Sequence, residues 1–215
     1  TGDWSSDVCS SDLQEFKMKK RIGVLIMMVM MANAKEPEVA VISTTFGDMV
    51  IEFFPEIAPK HVESFKILAQ EGYFNGSTFH RIIPGFVIQG GDPNSKDEDR
   101  TKHGQGGRAG KFFGIGNEDD PNTWLIPEEF NDHPHHKGAL SMARTNDPNS
   151  ASSQFFICVD NVNQLDNKYT VFGQIIQGIE VADKIVAVDR DRRDNPIERV
   201  EMTIKIIQKK SLKNE

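Results

Sequence analysis

The sequence predicts a mainly β protein, a closed antiparallel β-barrel with an α-helix covering each end. Three observations carry that expectation. Short apolar stretches bounded by Gly, Pro, Asn and Asp recur from Glu38 onward. The last of them, Val200, Met202, Ile204 and Ile206, alternates with Glu201, Thr203 and Lys205, the period of a strand with one buried face. Only Ala58–Gly72 and Gly178–Ala187 carry apolar residues at helical spacing.

Each element has its own local reason. Val39–Ile42 and Met49–Phe54 flank Phe46-Gly47-Asp48, a hairpin with a glycine turn. Pro59 suits a first helical turn, where no N–H donor is needed. Val62, Phe65, Leu68 and Ala69 follow on one side, and Gly72 stands where a left-handed cap belongs. Phe79–Ile83 and Phe86–Gln89 read as strands broken at Pro84-Gly85. Residues 92–127, rich in Gly, Asp, Asn and Lys, form a long connection, and such loops are functional or mobile. Strands resume at Gly138–Ala143, Gln154–Val159 and Thr170–Ile176. The second helix places Ile179, Ala182, Ile185 and Val186 together before the final strand.

The N-terminal part follows different rules. Met18–Ala34 reads MKKRIGVLIMMVMMANA: a basic start, a short apolar run, and Ala32-Asn33-Ala34 as a cleavage site. A cleavable signal peptide over 18–34 is expected, hence a periplasmic or secreted protein with no stable membrane association after cleavage. Thr1–Lys17 has no periodicity and resembles translated adapter read-through or a disordered extension, so 1–17 is excluded from the fold. The mature domain is then 35–215, without internal repeat or second domain. Of the two cysteines, Cys9 falls before the mature chain, which leaves Cys158 alone, with no disulfide and no cysteine metal site.

Charge and motifs exclude several classes. A net charge of −7 argues against nucleic acid as a partner. Gly104-Gln105-Gly106-Gly107-Arg108-Ala109 matches the letters of a dinucleotide fingerprint, but no strand precedes it and no helix follows. His133-Pro134-His135-His136 lacks an acid or cysteine at ligand spacing and reads as a solvated loop. No G-x-S-x-G elbow occurs, and Cys158 inside Phe155–Val159 reads as a buried, inert thiol.

The stretch TFHRIIPGFVIQGGD, Thr78–Asp92, remains. It places Arg81, a permanent charge, among Phe, Ile and Val, where burial is costly without a partner. Either Arg81 pairs with a buried acid, or it faces a pocket. Strand alternation would put Phe79, Arg81 and Ile83 on one side, and Gln154, Phe156 and Cys158 on one side of another strand. An apolar floor with one guanidinium and two amides suits something apolar and amide-like. The lack of acidic residues near Arg81 in sequence favours a ligand.

From about Val39 to Ile207 the chain resembles a cyclophilin, a peptidyl-prolyl cis-trans isomerase, through F-H-R-I-I-P-G-F-x-x-Q-G-G-D at Phe79–Asp92, S-M-A with S-Q-F-F-I at Ser141–Ile157, and the glycine loop Gly104–Gly107. The resemblance implies an eight-stranded barrel with two capping helices and no cofactor or metal. It implies catalysis by Arg81, Gln89 and Phe86, and substrate contacts from His80, Ala143, Arg144, Gln154, Phe156, Gln164, Leu165 and Tyr169. Three positions depart from the common pattern: Gln164 replaces a tryptophan, Tyr169 a histidine, and Arg144 an asparagine that chiefly offers its backbone. The expected partners are proline-containing polypeptides, with weak cyclosporin binding, and the expected state is a monomer. The function to expect is catalysed rotation about X-Pro bonds in exported proteins. The alternative is a non-catalytic chaperone or scaffold using the same groove.

Overall fold

The computed structural model describes residues 36–214. The expected extension 1–17, the expected signal 18–34 and Cys9 lie outside the described residues. In chain order the elements are β1 (Glu38–Thr44), β2 (Gly47–Phe53), α1 (Pro59–Gln70), β3 (Arg81–Ile83), β4 (Val87–Gly90), β5 (Ala139–Met142), β6 (Phe155–Cys158), β7 (Val171–Gln177), α2 (Ile179–Val186) and β8 (Met202–Gln208). Gly47, at φ +123°, turns β1 into β2, and Pro59 opens α1 while Gly72, at φ +69°, follows its end. The eight strands form one sheet in the order β3-β4-β6-β5-β7-β2-β1-β8, and every neighbouring pair is antiparallel.

The expected closed barrel is not formed. The sheet is an open half-barrel, because β3 is only 3 residues long and no ladder joins it to the other edge strand, β8. The chain leaves a left-handed turn at Gly76 (φ +78°) just before that edge, and an isolated bridge, Thr78 to Glu201, stands across the gap in place of a ladder. Around it the N–H groups of Gly76 and Phe79 donate to the carbonyls of Met202 and Val200, each at 3.0 Å. Helix α1 packs against β7 and β8, and α2 against β2, β3 and β4.

A cluster of aromatic rings fills the curl of the sheet. Phe65 of α1 lies 5.4 Å from Phe155 of β6 and 5.5 Å from Phe172 of β7, centroid to centroid. Phe74 and Phe79 complete the group, and all five rings are buried. Strand β6 reads as an unbroken apolar run because both its faces are covered. Phe155 and Ile157 enter this core, while Phe156 and Cys158 join a second cluster with Val87, Val162 and Val171. One expected face is corrected here. Phe79 points into the main core and does not share a side with Arg81, because regular alternation begins only at Arg81, where β3 starts.

Candidate functional site

The second face of β6 is the floor of the site. The register sets Arg81 opposite Gln89, Gln89 opposite Phe156, and Phe156 opposite Ser141, so four residues from four adjacent strands stand in one row. Gly85, at φ +69°, makes the tight turn that brings β4 back along β3 and fixes the first of these pairings.

A cavity of about 150 Å³ opens over this row. Its wall brings together eight of the expected residues: Arg81, Phe86, Gln89, Ala143, Arg144, Phe156, Leu165 and Tyr169, with Val87 added. Phe156 meets Tyr169 edge-on at 5.7 Å, which gives the apolar side two rings at right angles. Behind Phe156, His135 stacks at 6.0 Å with an interplanar angle of 18°.

The polar side is a relay of amides. Arg81 Nη1 donates to Gln89 Oε1 at 3.3 Å, Gln89 Nε2 to Gln154 Oε1 at 3.0 Å, and Gln154 Nε2 to the Gly106 carbonyl at 2.7 Å. Each glutamine gives one hydrogen bond and accepts one, so its orientation is determined. Among the described residues no carboxylate lies within ion-pair distance of Arg81. The buried-acid reading of Arg81 is therefore excluded within those residues, and the guanidinium keeps donors free on the cavity side.

Three expected contacts lie elsewhere. Gln154 reaches Gln89 but lines an adjoining cavity of about 360 Å³, whose wall includes Gly104–Gly107 and Ser152. Gln164 is exposed and outside the groove. His80 is buried, with neither ring nitrogen hydrogen-bonded, and sits on the other side of Arg81. Burial holds its imidazole down at about 4, against the opposing pull of Asp92.

Arg144 acts differently from an asparagine at its position. Its guanidinium folds along the rim, donates to the Lys168 carbonyl from Nη2 at 2.6 Å and to the Thr145 carbonyl at 2.7 Å, and lies 4.6 Å over the Tyr169 ring. It clips the segment carrying Leu165 and Tyr169 to the end of β5.

The sequence reading missed two supports. Asp92 is fully buried and accepts the N–H groups of Asn94 at 2.9 Å, Gly106 at 3.2 Å, and Gly104. Those bonds shape the glycine loop and occupy amides that a phosphate would need. A side chain at Gly106 would place Cβ 2.5 Å from Asp92 Oδ1. An acid directly after Gly90-Gly91 and before Pro93 was the available signal. The second is His135, expected in a solvated loop. It is buried; its Nδ1 donates to Asp166 at 2.9 Å, and its Nε2 lies 3.1 Å from Ser141 Oγ. Burial lowers its pKa, opposed by Asp166. Cys158 also lies under this floor, and burial pushes its thiol up to about 12, which keeps it unreactive.

Comparison with known proteins places this geometry. Residues 39–206 match the family model described as cyclophilin type peptidyl-prolyl cis-trans isomerase/CLD. A probable peptidyl-prolyl cis-trans isomerase of Brucella abortus is 40% identical over 158 residues, 73% of this chain and 76% of that protein. A peptidyl-prolyl cis-trans isomerase of Schizosaccharomyces pombe is 40% identical over 159 residues, 73% of this chain and 90% of its own length. Among solved structures, a cyclophilin type isomerase of Cryptosporidium parvum aligns with a TM-score of 0.68 at 29% identity, covering 80% of this chain and 98% of that one. The same protein in the presence of the dipeptide Ala-Pro aligns at 0.67 and 30% identity. The chain belongs to the cyclophilin-type peptidyl-prolyl cis-trans isomerase family.

The His80 environment yields a pH prediction. Its folded pKa, about 4, lies below the ordinary 6.5, so as pH falls between those values the unfolded chain takes up a proton that the native one refuses. Stability is full above pH 6.5 and is lost towards pH 4, by roughly 3 kcal/mol if His80 alone is counted. His61 and His135 are shifted in the same direction by burial. Urea unfolding across this window should show the decline, and His80→Gln should flatten it by close to one proton; an unchanged slope in the variant would contradict the assignment.

Proposed function

We propose that this protein catalyses cis–trans rotation about X-Pro bonds in the cavity bounded by Arg81, and that its substrates are exported polypeptides. The observation that carries the reading is a guanidinium oriented by neutral amides, with no counter-charge among the described residues, at the edge of a cavity with an aromatic wall.

The chemistry follows from the amide itself. Resonance between the nitrogen lone pair and the carbonyl sets a barrier of ~18–20 kcal/mol, and uncatalysed X-Pro rotation takes tens of seconds or more. At the twisted transition state resonance is broken, and the prolyl nitrogen becomes pyramidal and a better acceptor. A donor aimed at that nitrogen stabilises the twisted amide more than either planar form, which is the condition for catalysis. Arg81 is that donor, offering several N–H groups in a planar fork. Phe86, Phe156 and Leu165 hold the proline ring, and Gln89 fixes both the guanidinium and a substrate carbonyl. The apolar wall strengthens the interaction by lowering the local dielectric. No bond breaks, so no nucleophile, metal or cofactor enters the cycle. The names of the relatives and the Ala-Pro dipeptide present with the Cryptosporidium parvum neighbour agree with this substrate class.

The export part rests on the order of basic, apolar and A-x-A segments over 18–34. Two measurements test the proposal. An isomerisation assay with a panel of residues before proline should show catalysed exchange; saturable peptide binding without acceleration would assign the groove to a scaffold instead. Mass analysis of protein from a secreting host should find Lys35 at the N-terminus, and a recovered chain still carrying Met18–Ala34 would refute export by cleavage.

A further inference from the structure

On the far side of Arg81 and Gln89 a second cavity, of about 200 Å³, shares those two residues with the proline groove. Its remaining wall includes Arg100, His103, Asp191, Arg193 and Asn195. Three guanidinium groups therefore face a space with one carboxylate, and that carboxylate is committed. Asp191 Oδ1 accepts the backbone N–H groups of Arg193 at 2.8 Å and Asn195 at 3.0 Å, and its other oxygen stands 3.8 Å from Arg100 Nη1. Arg193, by contrast, is exposed, and among the described residues its side chain makes no hydrogen bond or ion pair. Among the described residues the Arg81 side chain makes a single hydrogen bond, to Gln89.

The rest of the wall is held in place. Asn195 Nδ2 stands 2.9 Å from His103 Nδ1, and His103 Nε2 stands 2.9 Å from the Asp97 carbonyl, so both ring nitrogens have partners. Arg100 and Arg193, neither of which lines the proline groove, thus carry positive charge into a concave site next to it, where that charge favours an anion.

We propose that this cavity receives an anionic side chain, a carboxylate or a phosphorylated hydroxyl, of the same polypeptide whose proline occupies the groove, so that acidic residues near the proline select substrates. The inference rests on the proposed reading of the groove. Because Arg81 and Gln89 line both cavities, an extended chain crossing the groove passes the second one within a few residues, at roughly 3.3 Å per residue. The site is partly open to water, so the gain is modest: about three- to tenfold in kcat/KM at low salt, shrinking as added salt screens the charges.

The test uses matched peptides with Glu or Gln scanned over the positions flanking one proline, assayed on the protein and on Arg100→Gln and Arg193→Gln. The expected result is a Glu-to-Gln ratio above about three at one position or more, falling towards one in the arginine variants while Gln-peptide rates stay unchanged. Inorganic phosphate should erode the Glu advantage more than it slows the Gln peptide. A ratio near one at every position overturns the proposal; so does phosphate binding by calorimetry with that ratio, which would assign the cavity to a free anion. Peptide affinity, read by fluorescence anisotropy, carries the same comparison. A failure of catalysis on both peptides would count against the groove reading and still leave the ratio measurable.

Discussion

The structure turns on one constraint: a half-buried guanidinium, Arg81, held without a counter-charge among the described residues. A carboxylate partner would have satisfied Arg81 and also neutralised it. Two glutamine side chains and a backbone carbonyl orient it instead, through bonds of 3.3, 3.0 and 2.7 Å, and leave its charge available. Neutral amides can do this only if each has one defined role, and here Gln89 and Gln154 each donate once and accept once. The whole relay is anchored at Gly106, so the position of the charge depends on a loop far away in sequence.

That dependence explains features that otherwise look unrelated. The connection 92–127 is gathered by a buried carboxylate, Asp92, which draws in three backbone amides and fixes the carbonyl that ends the relay. Strand β6 carries apolar residues on both faces because it separates two structures, the aromatic core on one side and the groove floor on the other. His135, Ser141 and Asp166 stiffen the underside of Phe156, and Arg144 clips Tyr169 from above. The apolar side and the charged side of the cavity are thus set by separate networks that meet at Phe156.

Much of this was legible in the sequence, for local reasons. The hairpin at Gly47, the helix opened by Pro59 and the alternating last strand are short-range patterns, and the strands stand within a few residues of their expected bounds. The groove residues were legible as types: a charge and two amides among aromatics on alternating positions. Closure of the barrel was not, because it depends on whether two distant edges share a ladder, and a strand of 3 residues after a tight turn cannot supply one. Nor was the inward turn of Phe79, which precedes the start of regular alternation. Substrate contacts from His80, Gln154 and Gln164 were implied by the resemblance alone; the fold decides which cavity, if any, each lines, and it sets Gln154 between Gln89 and the Gly106 carbonyl. Asp92 carried no expected role and His135 was read as solvated, because burial of a polar group leaves no period in the sequence; its sign is a set of hydrogen bonds made with distant partners.

The most direct test of the central claim replaces Arg81 and reads activity and stability on the same samples. A charge-assisted hydrogen bond in a preorganised, partly dry site is worth on the order of 1.5–4 kcal/mol to a transition state. Arg81→Ala should then lower kcat/KM by roughly ten- to a thousandfold, and Arg81→Lys should restore little, because an ammonium cannot reproduce the planar fork. The melting temperature should move little in either variant, since no ion pair is broken. A folded Arg81→Ala protein that isomerises prolyl bonds at a near-normal rate would contradict the account, as would a variant whose activity falls only in proportion to its loss of fold.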